Sequence, residues 1–264
     1  MHEVTDLKQT ISAKDNIADN WYENFFEGIN CEMWEKAATI DMTLPEVNFL
    51  LEIFGLPAVG HLLDLPCGNG RHSVELAKQG FQMTAFDISE TFIRSLQQKL
   101  EDQKLSIRVI HGNILTHSLT GSFDGAFCLG NSFGYFPYEQ MELFVRKISG
   151  VLKPGAKWVI NTGLAAETFL TKFVDEKTYV LGDLTMDIQN DYDEWSSCLL
   201  TTLTYTKNNR KETKRFKHYI HTVAEIIRLL QRFGLKTIDL YGSTGKTEYR
   251  LGGMQLFLVA EKEA

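Results

Sequence analysis

Apolar positions in the middle of the chain alternate between short continuous runs and stretches with helical spacing. Residues 61–66 form one run, a helical pattern begins at residue 71, and a second run at 83–86 ends in Asp87. A buried run that passes through a turn into a helix, and then into another run, is typical of a βαβ unit. The alternation continues through predicted helices at 90–101 and 139–152 and predicted strands at 106–111, 125–129 and 157–161. This part of the chain therefore predicts a parallel sheet with helices on both faces.

The pattern differs on either side of this alternation. Residues 1–58 show helical spacing, with four aromatic residues between 21 and 26 and a helix end at Gly55. Between 179 and 219 apolar residues recur with a period of two, and Asn208-Asn209 is a turn signal. Helical spacing returns at 222–233, followed by two runs at 236–241 and 254–260. We therefore expect N-terminal helices, an antiparallel insertion and a return to the first sheet.

Composition limits the classes of function. The formal net charge of -7 over 264 residues disfavours binding to nucleic acid. The four cysteines are widely spaced, so neither a metal site nor a disulfide framework is indicated. The N-terminus lacks the apolar core of a signal peptide, and no apolar run reaches membrane-spanning length. We expect a soluble cytoplasmic protein. The basic residues at 207–217 are either a hairpin edge guarded by lysines or a surface that attracts an acidic substrate or RNA.

Two glycines and one acid in the first βαβ unit indicate a ligand site. Gly68 and Gly70 follow the first strand directly, and glycine lets a backbone approach a ligand closely. Asp87 ends the second strand, about twenty residues later, where a carboxylate can accept hydrogen bonds from both hydroxyls of a ribose. The arrangement predicts a nucleoside site. For Asp87 alone, a helix N-cap or a solvated loop acid is the alternative.

Two side chains beside the glycines distinguish between nucleosides. A dinucleotide site requires a third glycine or alanine where this chain has Ser73. Asp64, which lies just ahead of the loop, would repel a pyrophosphate but suits the ammonium group of a methionine moiety. The two residues favour S-adenosylmethionine over a nicotinamide or flavin dinucleotide.

The order of these motifs resembles that of the class I S-adenosylmethionine-dependent methyltransferases, in particular small-molecule members with a D-x-P-C-G-x-G-R-H turn. The resemblance covers nearly the whole chain and rests on residues 43–50, 64–72, 87–89, 112–114, 129–136 and 151–155. It implies an α/β fold with a Rossmann-like, seven-stranded, mostly parallel sheet of order 3-2-1-4-5-7-6. An N-terminal helical cap and an inserted antiparallel β lid complete this fold. The implied division is a cap at 1–58, a cofactor-binding core at 59–175, a lid at 176–220 and the C-terminal part of the core at 221–264.

The resemblance also assigns roles within the cofactor site. The loop at 66–70 is expected to wrap the methionine part, and Asp87 to hold the ribose. Residues 113–114 are expected to meet the adenine ring, and the carbonyls of 129–130 the ammonium. Arg71 is a candidate partner of the methionine carboxylate, or else an arginine on a helix surface. The full set of expected cofactor-binding residues is Asp64, Pro66, Gly68, Asn69, Gly70, Arg71, Asp87, Ile88, Asn113, Ile114, Leu129 and Gly130.

Most residues expected near the methyl acceptor are aromatic. They are Phe26, Trp34, Asn131, Phe133, Tyr135 and Tyr249. Aromatic rings can shield a sulfonium and hold it by cation–π attraction, or they belong to the core. His221 is a candidate general base for a hydroxyl or protonated amine, although a lone histidine is more often structural. No other catalytic residue is indicated.

The main hypothesis is an enzyme that moves a methyl group from S-adenosylmethionine to a nitrogen or oxygen of a small molecule. The reaction is an in-line displacement that leaves S-adenosylhomocysteine. One alternative is a nicotinamide-dependent oxidoreductase, which Ser73 and Asp64 disfavour. Another is a non-catalytic ligand-binding protein on the same fold, which the intact Gly68, Gly70 and Asp87 disfavour.

Overall fold

The structure, a computed structural model, describes residues 16–264. The part of the expected helical cap at residues 1–15 lies outside the described residues. The helices are α1 (Gly28–Ala37), α2 (Ile40–Phe54), α3 (Arg71–Lys78), α4 (Glu90–Gln103), α5 (Tyr138–Val151), α6 (Ala166–Phe169) and α7 (Val223–Gln231). The strands are β1 (His61–Asp64), β2 (Gln82–Asp87), β3 (Arg108–His111), β4 (Phe123–Cys128), β5 (Leu152–Thr162), β6 (Glu176–Leu181), β7 (Leu184–Asp193), β8 (Cys198–Lys207), β9 (Arg210–Tyr219), β10 (Leu235–Tyr241) and β11 (Leu256–Lys262). From residue 16 onward, no helix has the length and apolar character needed to cross a membrane.

The central sheet has the predicted strand order. Seven strands pair as β3-β2-β1-β4-β5-β11-β10, in which β10 and β11 are the sixth and seventh strands of this sheet along the chain. Strand β1 runs parallel to β2 and β4, whereas β11 runs antiparallel to β5. The loops that follow β1, β2, β3 and β4 therefore meet at one edge of the sheet, where ligands of such folds bind.

Apolar side chains cover both faces of this sheet. On one face, Leu50 of α2 shares a cluster with Leu62 of β1. On the other face, Trp158 of β5 packs in a larger cluster with Phe144 of α5 and Leu203 of β8. Burial on both faces explains why the parallel strands appear in the sequence as continuous apolar runs rather than alternating ones.

The N-terminal aromatic residues do not form the α-helix that their spacing predicts. Trp21–Glu23 is a single 3-10 turn, and α1 begins only at Gly28. The rings instead pack edge to face, with Trp21 and Phe25 at 5.0 Å between centroids. Packing of these rings against the lid and the sheet, rather than helical periodicity, determines the local backbone.

The inserted strands form a second, antiparallel sheet in the order β6-β7-β8-β9, which we call the lid. The predicted turn between β8 and β9 is present, with φ angles of 47° at Asn208 and 63° at Asn209. Positive φ at both central residues is what a two-residue type I′ turn requires, and asparagine tolerates it. The turn sets the register in which Lys207 pairs with Arg210.

The basic residues of this hairpin contact acids of the N-terminal segment. Lys214 pairs with Glu27 at 2.7 Å, and Lys217 pairs with Asp19 at 2.7 Å. Both acids are exposed, whereas the side chains of Lys214 and Lys217 are 16% and 5% exposed. The pairs join β9 to the segment that precedes α1.

A buried hydrogen-bond chain makes the stronger connection between the lid and the N-terminal helices. Tyr205 of β8 donates its hydroxyl to Asn30 Oδ1 at 2.8 Å. Asn30 Nδ2 in turn donates to the Phe25 carbonyl at 2.6 Å. Tyr205 and Asn30 are both fully buried, so no water can replace either bond.

The Tyr205→Phe variant is expected to lower the free energy of unfolding by about 1–3 kcal/mol, because Asn30 Oδ1 then stays buried without its donor. Urea denaturation followed by circular dichroism measures this change. The matched control is Tyr179→Phe on an exposed lid tyrosine, which is expected to change the same quantity by less than about 0.5 kcal/mol. Equal effects of the two variants would show that the buried contact does not join lid and cap.

Candidate functional site

A cavity of about 410 Å³ lies at the edge of the sheet where the parallel strands end. The loops after β1, β2, β3 and β4 form one wall, which we call the core wall. The segment before α1, the C-terminal part of α1, the start of α2, and β9 form the opposite wall, which we call the cap–lid wall. The volume falls within the range typical of small-molecule sites.

The glycine loop between β1 and α3 borders the core wall. Gly68 has φ of 53°, and no atom lies within 4 Å of the position that its Cβ would occupy. Gly70 has φ of 73°, but a Cβ there would lie 2.3 Å from the side chain of Leu96. A positive φ favours glycine at both positions. Only Gly68 leaves open space for a ligand, whereas Gly70 lets the loop pack on α4.

Asp87 fixes this loop to the end of β2. Its Oδ2 accepts a hydrogen bond from the Gly68 amide at 2.7 Å, and its Oδ1 accepts one from the Ser89 amide at 2.8 Å. Burial raises the pKa of Asp87, while the amides of Ser89 and Gly68 oppose that rise. The carboxylate lines the cavity and each oxygen keeps a further lone pair, so it can also accept hydrogen bonds from a ligand.

Asp64 takes a supporting position behind the loop. It is buried, does not line the cavity, and accepts a hydrogen bond from the Ser73 hydroxyl at 2.7 Å. Burial raises the pKa of Asp64 to about 8. Ser73, the residue that departs from the dinucleotide pattern, therefore serves as the partner of a buried acid.

A charged group lies on the cavity wall at the start of α3. Glu46 Oε2 accepts hydrogen bonds from Arg71 Nη1 at 2.5 Å and from His72 Nε2 at 2.9 Å. Burial alone would raise the pKa of Glu46, but the bond from His72 and the charge of Arg71 together lower it. Arg71 thus reaches the cavity with one guanidinium nitrogen already bound to a carboxylate.

The loop after β3 closes another side of the core wall. Asn113 and Ile114 both line the cavity. Asn113 Oδ1 accepts a bond from the Leu115 amide at 2.9 Å, and its Nδ2 donates to Glu23 at 3.1 Å. Lys147 donates to the Ile114 carbonyl at 2.7 Å, which ties the loop to α5. These contacts hold the backbone of the loop in place.

Ten of the twelve expected cofactor-binding residues line this cavity. They are Pro66, Gly68, Asn69, Arg71, Asp87, Ile88, Asn113, Ile114, Leu129 and Gly130. Asp64 and Gly70 stand behind them. Among residues 16–264, no cluster of three or more histidine, cysteine or acidic side chains is arranged to hold a metal ion.

Aromatic rings make up much of the cap–lid wall. The cavity-lining rings there include Trp21, Phe26, Trp34 and Phe216, and Tyr135 faces them from the loop after β4. Trp21 and Tyr135 meet edge to face at 5.0 Å between centroids. The apolar rings lower the polarity of this part of the cavity, which strengthens any polar contact made inside it.

The structure separates the expected acceptor residues into two groups. Phe26, Trp34, Asn131 and Tyr135 line the cavity, and Phe133, Tyr249 and His221 do not. Phe133 is buried against Trp158. The Tyr249 hydroxyl lies 2.8 Å from that of Thr168. Burial lowers the pKa of His221, whose Nε2 has no hydrogen-bond partner within residues 16–264.

Two histidines line the cavity, His72 beside the glycine loop and His218 of β9, and the sequence pattern predicted no site role for His218. His218 is 1% exposed, and burial lowers its pKa to about 3. His218 and Phe216 alternate along β9, so both present their side chains to the same face of the strand. The period-two pattern of β9 predicts that Phe216 and His218 share a face of the strand. It does not predict which face of the lid turns toward the sheet.

Comparisons with known proteins agree with this geometry. A family model described as a methyltransferase domain matches residues 62–155. A putative methyltransferase of Geobacillus sp. (strain WCH70) is 28% identical over 119 residues, which are 45% of this chain and 44% of that protein. Glycine N-methyltransferase of Rattus norvegicus is 24% identical over 191 residues, or 63% of this chain and 63% of that protein.

A solved structure shows the same fold over a longer stretch. The crystal structure of an S-adenosylmethionine-dependent methyltransferase from Clostridium acetobutylicum ATCC 824 aligns with a TM-score of 0.79 and 13% identity. The alignment covers 90% of this chain and 100% of that chain. In sequence, by contrast, the chain spans under half the length of the Geobacillus relative.

The depressed pKa of His218 predicts a pH-dependent stability. The unfolded ring titrates near 6.5, whereas the buried ring stays neutral down to about 3. Between these values the unfolded state binds more protons, so this contribution to stability is lost as the pH falls. The unmutated protein should therefore lose more unfolding free energy between pH 7 and pH 5 than the His218→Leu variant does. The difference between the two losses should be up to about 2 kcal/mol. Guanidinium denaturation at both pH values measures it, and an equal loss in both proteins would contradict a buried neutral ring.

Proposed function

Because the chain belongs to the class I S-adenosylmethionine-dependent methyltransferases, we propose that it transfers a methyl group from S-adenosylmethionine to a nitrogen or oxygen of a small molecule. S-adenosylhomocysteine is the second product. The observation that supports this proposal most directly is the loop at Gly68, which the buried Asp87 carboxylate holds at the edge of the cavity. The amine acceptor in the name of the rat relative is compatible with such a site.

The core wall fits each part of the donor. The open space beside Gly68 admits a ligand against the backbone, and the Asp87 carboxylate can accept from ribose hydroxyls. We place the adenine against Asn113 and Ile114, whose loop Lys147 holds. The methionine part then lies along residues 129–130, with its carboxylate toward Arg71. Asp64 and Gly70 support the loop from behind.

The two walls divide the work of the reaction. When bound, the donor supplies an electrophilic methyl group on a positively charged sulfur. The core wall holds the donor by its polar groups, and the aromatic cap–lid wall positions the acceptor and keeps water out. Rings such as Tyr135 can also stabilise the positive charge on sulfur by cation–π attraction. Alignment of the two substrates between the walls is therefore the main contribution of the protein.

The Asp87→Ala variant is expected to weaken binding of S-adenosylhomocysteine by about 1.5–3 kcal/mol, since it removes a charged hydrogen-bond acceptor from the ribose site. Isothermal titration calorimetry measures the affinity. The matched control is Asp124→Ala, which removes an acid that accepts hydrogen bonds from Lys153 and the His61 amide, does not line the cavity, and should leave the affinity unchanged. Unchanged affinity in a folded Asp87→Ala protein would place the ribose elsewhere.

A second pair of variants addresses the possibility that Asp87→Ala unfolds. Gly68→Ala adds a methyl group on the cavity side, and Gly182→Ala adds one in a lid turn with φ of 63° and no atom within 4 Å. Both pay a similar conformational cost of about 1 kcal/mol. Only Gly68→Ala is expected to weaken the binding of S-adenosylhomocysteine, by at least about tenfold. Equal affinities of the two variants would count against a ligand at Gly68.

A titration with NADH in the same calorimeter tests the oxidoreductase alternative.

A further inference from the structure

The start of α2 carries part of the family resemblance, residues 43–50, yet the proposed donor site does not use it. Two side chains of this stretch contact the first residue of α3. Thr43 Oγ1 accepts a hydrogen bond from Arg71 Nη1 at 3.0 Å, and Glu46 Oε2 forms an ion pair with the same nitrogen at 2.5 Å. A cap helix and the helix that follows the glycine loop therefore meet at one charged pair on the cavity wall.

Each partner of this pair keeps polar groups without a partner in the described part of the chain. Glu46 Oε2 takes both Arg71 and His72, whereas Glu46 Oε1 makes no hydrogen bond within residues 16–264. Nε and Nη2 of Arg71 make none there either. None of these three atoms is fully buried, and both side chains line the cavity with 12% and 19% of their surfaces exposed. A ligand in the cavity can therefore reach one carboxylate oxygen and two nitrogen donors.

The contacts with α2 hold the guanidinium of Arg71 in one orientation. The Thr43 hydroxyl donates to the Thr39 carbonyl at 2.9 Å, so its lone pairs are left for Arg71 Nη1. Glu46 holds the same nitrogen from a second direction. The N–H groups on Nε and Nη2 of an arginine point the same way and match the two oxygens of a carboxylate. The free edge of Arg71 is thus a preformed carboxylate site.

The charges of the pair limit the kind of ligand. Among residues 16–264, Arg71 is the only lysine or arginine that lines the cavity. Burial alone would raise the pKa of Glu46, but the bond from His72 and the charge of Arg71 lower it, so the carboxylate is ionised at neutral pH. A phosphate beside Arg71 would be repelled by this carboxylate. A ligand with one positive and one negative charge can pair with both side chains, and no net charge is then buried.

We propose that Glu46 and Arg71 form the site for the charged amino-acid end of S-adenosylmethionine, with its carboxylate on Nε and Nη2 of Arg71 and its ammonium on Oε1 of Glu46. This inference rests on the proposed function, to which it adds Glu46 as a binding residue and Thr43 as a positioning residue. It extends the donor site from the core wall to the start of α2. Donor binding and the attachment of α2 to α3 then depend on the same two side chains.

The place of the pair favours the donor over the acceptor as its ligand. Arg71 follows the glycine loop directly, and in the proposed function that loop holds the donor. Glu35 of α1, another acid of the cavity, is the alternative partner for the ammonium. Its Oε1 accepts from the Ser95 hydroxyl at 2.6 Å, so it ties α1 to α4. An amino-acid end needs both charges close together, which the ion pair of Glu46 with Arg71 provides.

Four ligands separate the two charges. S-adenosylhomocysteine carries both the ammonium and the carboxylate, and methylthioadenosine lacks the whole amino-acid end. S-adenosylhomocysteine with its carboxylate replaced by hydrogen is the amine-only ligand, and with its ammonium replaced by hydrogen it is the acid-only ligand. Isothermal titration calorimetry on the full-length protein measures each affinity. We expect S-adenosylhomocysteine to bind most tightly and methylthioadenosine at least about tenfold more weakly.

Two variants should give opposite patterns. Glu46→Gln removes the charge that faces the ammonium. It should weaken the binding of S-adenosylhomocysteine and of the amine-only ligand at least about tenfold, while the acid-only ligand binds as tightly as before or more tightly. Arg71→Met removes the partner of the carboxylate. It should weaken the binding of S-adenosylhomocysteine and of the acid-only ligand by the same factor, but not that of the amine-only ligand. Methylthioadenosine should bind both variants as it binds the unmutated protein, which also shows that they fold.

Thr43→Val tests the positioning role. Valine has nearly the same shape but cannot accept a hydrogen bond from Arg71, so the guanidinium loses one of its two anchors. The two ligands with a carboxylate should bind about three- to tenfold more weakly, and methylthioadenosine as before. A purely structural role of Thr43 would lower all four affinities together. The matched control is Glu52→Gln, a change of an exposed acid of α2 that pairs with Lys246 and does not line the cavity, which should leave all four affinities unchanged.

The outcomes distinguish this inference from the function on which it rests. If the protein binds neither S-adenosylhomocysteine nor methylthioadenosine, the proposed function itself fails. If it binds both equally, or if Glu46→Gln leaves the binding of S-adenosylhomocysteine unchanged or tightens it, the assignment to Glu46 and Arg71 is overturned while the donor site stands. A loss of amine-only binding in Glu35→Gln instead of Glu46→Gln would overturn it as well. The opposite patterns of Glu46→Gln and Arg71→Met support it.

Discussion

The buried carboxylate of Asp87 is the interaction on which the site depends. Its two oxygens accept the backbone amides of Gly68 and Ser89, so the loop after β1 and the turn after β2 are held to one charged group. Burying that charge is unfavourable, as its raised pKa shows, and the backbone amides compensate for part of the cost. The parallel sheet supplies the geometry, because it ends both strands at the same edge.

The cavity is shared between two parts of the chain with different chemistry. The core wall offers backbone and polar groups in fixed positions, which suits a ligand common to a whole family. The cap–lid wall is aromatic and is held together by buried contacts such as that of Tyr205 with Asn30. Under the proposed function, elements outside the central sheet would recognise the acceptor, and the donor and acceptor sites would lie largely on separate structural units.

Sequence patterns predicted the parts that depend on local rules. The strand order, the antiparallel lid and the Asn208-Asn209 turn follow from periodicity, family motifs and turn chemistry. The positions of individual rings depend instead on which face of the lid meets the sheet, which no local pattern encodes. His218 was overlooked for this reason, and the helical spacing around Trp21 was overridden by ring packing.

The most direct measurement is a crystal structure of the protein with S-adenosylhomocysteine. The account predicts electron density for the ribose within hydrogen-bond distance of Asp87, the adenine beside Ile114, and the sulfur facing the aromatic cap–lid wall. Density for the nucleoside at any other place, or a bound nucleoside whose ribose does not touch Asp87, would contradict it.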